Sequence, residues 1–144
     1  MPTVQEQAEE LKKYRDELNI TSLGFFFMLT YGSIIAAFQQ EIKTVLKNKD
    51  GTDANLSWDE NLVFVFRGWD RACNMHQYDD NVNPQSFATD WYELTREEYR
   101  NLGYVFGYSK DAEKLYLKVA KSYFEATGGK VKKDDDKITS TSTI

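Results

Sequence analysis

Cys73, His76, Asp79 and Asp80 are the one place in the sequence where reactive side-chain types crowd together. Cys73 and His76 stand three residues apart, so on a helix they share a face and could ligate zinc with a carboxylate as third ligand. The same two groups could serve as a nucleophile and its base. They equally fit a buried Cys closing an apolar stripe and a His at the solvent edge where a helix frays. A structural zinc site takes four Cys or His ligands, and the whole chain holds one of each. The structural reading is therefore adopted: no metal, no cofactor and no catalytic pair is assigned.

The neighbouring acidic run gives a second candidate. Asp79, Asn81, Asn83 and Asp90 match positions 1, 3, 5 and 12 of a calcium loop. Such a loop needs Gly at its sixth position and Glu at its twelfth, and here those are Pro84 and Asp90. A polar connection between helices explains the run better. Asp59/Glu60 and Glu97/Glu98 fall in expected first helical turns, where they complement the helix dipole without acid–base chemistry. The sequence has no phosphate loop, no Gly-x-Ser-x-Gly and no His-Glu-x-x-His. An enzyme is not expected, nor a small-molecule substrate.

Composition narrows the partners. The net charge of −5 over 144 residues gives no electrostatic basis for nucleic-acid binding. A single Cys excludes an internal disulfide framework and points to a reducing compartment. The first eighteen residues are polar and charged rather than a secretory signal, so the expected location is cytoplasmic or within an assembled particle, not secreted.

Aromatic residues carry the remaining functional signal, at 15% of the chain. Trp and Tyr anchor protein interfaces because they bring contact area with little entropy loss; they also fill cores. Trp91 and Tyr92, in an irregular-looking segment, and Tyr104 and Tyr108, beside Gly103 and Gly107, are expected as exposed contacts. Leu11 and the terminal Ile138 and Ile144 join them as candidate contacts with a neighbouring chain.

These residues need elements to position them. Val4, Ala8, Leu11, Tyr14 and Leu18 form a narrow helical stripe that must dock on something. LGFFFMLTYGSIIAAF (23–38) is apolar nearly all round, which means burial in protein or lipid. At 16 residues, interrupted by Gly24, Thr30, Gly32 and Ser33, it is short for a membrane span. Its amphipathic continuation through Ile42, Val45 and Leu46 favours one core helix over 22–47.

Asp50-Gly51 marks a turn. Ser57 to Glu60 is a capping box that opens a helix over 58–75, against a competing strand over Asn61–Phe66. Asn83-Pro84 can start a short helix, and Thr95 to Glu98 reads as a second capping box, opening a helix that Gly107 or Tyr108 ends. Ser109 caps the last helix and Gly128-Gly129 stops it. The tail 130–144 holds four Lys and three Asp, and its composition predicts disorder, with an alternating Ile138–Ile144 that could add as an edge strand.

The expected fold is therefore all-α: an antiparallel bundle of about five helices around a central hydrophobic helix (22–47), one domain over 1–129, and a polar tail. The expected role is a non-enzymatic protein acting through protein contacts, as a structural subunit of a homo-oligomer or larger assembly, for which a viral particle component fits. The alternatives are a free acidic inhibitor or immunity-type protein, a membrane-associated protein, and a Cys/His metal or thiol enzyme.

Overall fold

The computed structural model describes residues 3, 5, 6, 9 and 32–128. The described chain is mostly helical. Helix α1 spans Gly32–Val45, α2 Trp58–Met75, α3 Pro84–Asn101 and α4 Lys110–Thr127, with strands β1 (Leu46–Lys47) and β2 (Val105–Phe106) between them. Four helices are thus described where about five were expected. Near the N-terminus Gln5, Glu6 and Glu9 are helical, and Thr3 and Glu6 bond reciprocally, backbone to side chain, as a cap. Leu11, the stretch 22–31, Ile138 and Ile144 lie outside the described residues. Among the described residues no helix is long and apolar enough to cross a membrane.

Helix α1 buries Phe38 and Ile42 at helical spacing, and Leu46, the next residue of that stripe, is buried from β1. The expected helix to 47 ends two residues early because the chain finds ladder partners instead. Leu46 pairs with Phe106 and Lys47 with Val105 in an antiparallel ribbon, extended by the Gly107 N–H donating to Val45 O at 3.0 Å. The turn at Asp50-Gly51 forms as read, with Gly51 at φ 87 and its N–H on Asn48 O.

The capping box at Ser57 is complete: Ser57 Oγ accepts from Glu60 N at 3.1 Å and Glu60 Oε1 from Ser57 N at 3.0 Å. It starts α2, and the strand alternative over 61–66 falls. Ser109 caps α4 through Ala112 N, and Gly128, at φ 73, closes it with its N–H on Phe124 O.

Helix α3 is the main correction. The segment read as irregular is one 18-residue helix, capped by the Asn83 side chain on Gln85 N and Ser86 N, with Pro84 in its first turn. Thr95 does not open a helix. It sits in the middle of α3, and its hydroxyl donates to Trp91 O at 2.8 Å, a bond back along the same helix. The helix ends at Asn101 rather than at Gly107, and Phe106 reaches the core from a strand.

Helix α3 packs against both α2 and α4, and α4 against both α3 and α1. The centre of the described core is therefore α3; of the expected 22–47 helix the described part, α1, packs on α4, and 22–31 lies outside the described residues. Phe87, Ala88, Trp91, Tyr92, Leu94, Thr95 and Tyr99 of α3 are all buried. Trp69 of α2 meets Trp91 and, from α4, Tyr123 edge-on, each at 4.8 Å between ring centres. The Trp91 indole N–H donates to Val65 O at 2.9 Å, so the polar tip of a fully buried ring is satisfied.

Candidate functional site

The burial of Trp91 and Tyr92, both 0% exposed, removes them from the expected contact surface. Their position on the inner face of α3 is the reason; a helix, unlike a loop, gives them a core to face. Tyr104 is partly buried, edge-on to Phe64 and Tyr99, and burial raises its hydroxyl pKa. Only Tyr108 of the four stands out into solvent, at 53% exposed, with Val105 of β2 near it in sequence at 51%. Sequence reading missed Val105, since a two-residue strand leaves no alternation to read.

Tyr108 is exposed yet fixed. Arg96 of α3 lies between two rings, its guanidinium carbon 5.8 Å from the Tyr92 centroid and 5.7 Å from that of Tyr108. The same guanidinium pairs with Glu93 and donates from Nη2 to Phe106 O at 3.2 Å, which closes the outer side of β2. The next residue, Ser109, is held three ways. Its N–H donates to Tyr92 Oη at 2.9 Å, its hydroxyl donates to Glu41 Oε2 at 3.1 Å, and its Oγ accepts from Ala112 N. Helices α1, α3 and α4 thus meet at the base of Tyr108. Hydrogen bonding to Glu113 raises the Tyr108 hydroxyl pKa, with burial, Glu113 and Glu93 charge adding and Arg96 opposing.

The second site is the turn after α2. His76 terminates α2 with its N–H on Ala72 O, and its ring packs 5.6 Å from that of Phe87. Nδ1 lies 2.8 Å from Asp79 Oδ2 and Nε2 2.7 Å from Asp90 Oδ2, across to α3. Met75 and Tyr78, exposed at 56% and 81%, flank it. Asp90 is fourteen residues from His76 and was visible in the sequence only as a false calcium ligand.

Cys73 is buried in the core. The calcium-loop residues are divided among other tasks, Asn83 capping α3 and Asp79 and Asp90 holding His76. Among the described residues no group of three His, Cys, Asp or Glu side chains is placed to hold a metal ion. Comparison of the chain with protein-family models, with curated proteins and with solved structures finds no match.

Proposed function

We propose that the chain is a non-enzymatic protein that works through protein contacts, as a structural subunit of a homo-oligomer or larger assembly such as a virion or other particle. The four helices are read as an antiparallel bundle, in keeping with the eight-residue connections α2–α3 and α3–α4. The single observation that carries the functional reading is Tyr108, offered to solvent while its backbone and ring are already held by Arg96, Tyr92 and the Ser109 junction. A fixed aromatic loses little entropy when a partner covers it, which is what an interface anchor needs. Val105 adds apolar area close by in sequence.

A second reading, a free acidic inhibitor of one basic target, draws on Glu93 and Glu113, whose charge acts on Tyr108. Light scattering at tens of micromolar separates the two. Self-assembly predicts multimers that Tyr108→Ala shifts towards monomer, with unchanged helicity. A wild-type monomer that captures one stoichiometric foreign partner favours the inhibitor. A wild-type monomer with no partner, and termini mobile by NMR, refutes the assembly reading.

A further inference from the structure

His76 is the only histidine in the chain, and both of its ring nitrogens face carboxylates. A carboxylate near neutrality accepts hydrogen bonds and donates none, so satisfying both contacts requires both nitrogens to carry protons. The ring then holds three things together: the C-terminus of α2, the turn through Asp79, and α3 through Asp90. A cation is also favoured there by the dipole of α2, which ends at His76. With one proton removed, one nitrogen must face its carboxylate lone pair to lone pair, and one strut of the joint becomes repulsive.

We propose that the Asp79–His76–Asp90 triple is a pH-operated latch that closes the α2–α3 turn onto α3 when the imidazole carries both protons and releases it when one is lost. The groups that face His76 are Asp79 from the turn, Asp90 and Phe87 from α3, and, behind Phe87, the Phe124 ring of α4. Asp79 and Asp90 supply the charges and hydrogen bonds that favour the His76 cation. Burial disfavours the cation, but the hydrogen bonds and charges of Asp79 and Asp90 outweigh burial and raise the pKa above the ordinary histidine value. A raised value sets the sign: the latch is fully closed below about pH 6.5 and opens as pH rises through the folded-state value. Met75 and Tyr78 ride on the same segment, so release loosens the two most exposed large apolar side chains described.

A single labelled sample tests this, because one histidine gives one titration curve. NMR of the intact chain would follow the His76 ring nitrogens and the amide of Asp79, which donates to His76 O at 3.1 Å. The expected result is both ring nitrogens protonated near pH 6, a midpoint above about 6.5, and Asp79 protection falling at least about threefold in step with it. Protection is corrected here for the intrinsic pH dependence of exchange. Asp90→Asn, at a half-exposed position where an amide can serve either ring state, is expected to lower the midpoint and flatten the pH response of Asp79 while the fold is kept. A midpoint at or below the ordinary histidine value, or Asp79 protection indifferent to the His76 titration, overturns the latch.

Discussion

Gly68 of α2 lies against the backbone of Thr95 on α3. A Cβ built on Gly68 would stand 2.3 Å from Thr95 Oγ1, 2.8 Å from its N and 3.0 Å from its Cα. The two helices cross at a spacing that only glycine permits. Gly68→Ala gains about 1 kcal/mol of helix propensity but must push a buried backbone aside, an overpacking cost of roughly 1–3 kcal/mol. The clash is with main chain, so the cost wins. A urea midpoint below that of the wild type is expected; a stabilised variant would contradict the crossing.

The Tyr99 hydroxyl donates to Asn61 Oδ1 at 2.8 Å, both side chains buried, and ties the first turn of α2 to the end of α3. Tyr99→Phe leaves the buried amide oxygen unpaired and is expected to cost about 1–3 kcal/mol. A double-mutant cycle with Asn61→Leu checks that the loss belongs to the pair. Additive single costs would show no coupling.

Ser57→Ala removes one arm of the capping box that starts α2. A loss of about 1 kcal/mol in equilibrium unfolding is expected, without change in helix content of the folded state.

Arg96 makes a fork that lysine cannot reproduce: a pair to Glu93, a bond to Phe106 O and faces against Tyr92 and Tyr108. Arg96→Lys keeps the charge and is still expected to cost about 1–2 kcal/mol, because one ammonium cannot make all four contacts. Fluorescence or NMR of the Tyr108 ring should show it loosened at temperatures where the core is intact. An unchanged ring would contradict its fixation by Arg96.

The sequence was most legible where one residue type does one local job. Ser57 with Glu60, Ser109, Asp50-Gly51 and Gly128 mark caps and turns by short-range chemistry, and all four stand where they were read. Helix α3 was lost to a mimic: Thr95 to Glu98 has the pattern of a capping box, but a helix already running through Thr95 has no unpaired amides there to cap. Reading the stripe Phe87, Trp91, Leu94, Thr95 straight through would have recovered it, and with it the burial of Trp91 and Tyr92. The β1–β2 ribbon and the Asp90–His76 contact join residues far apart in sequence, which no local pattern encodes. Gly68 likewise reads as an indifferent helix glycine until Thr95 is set against it.

Native mass spectrometry of the purified chain, beside material drawn from its source, tests the proposed role in assembly most directly. Multimers of the chain are expected, weakened by Tyr108→Ala at an unchanged urea midpoint, whereas a one-to-one complex with a foreign protein would favour the inhibitor reading. A chain that remains monomeric and partnerless in both samples, or a Tyr108→Ala variant that assembles as fully as the wild type, would contradict it.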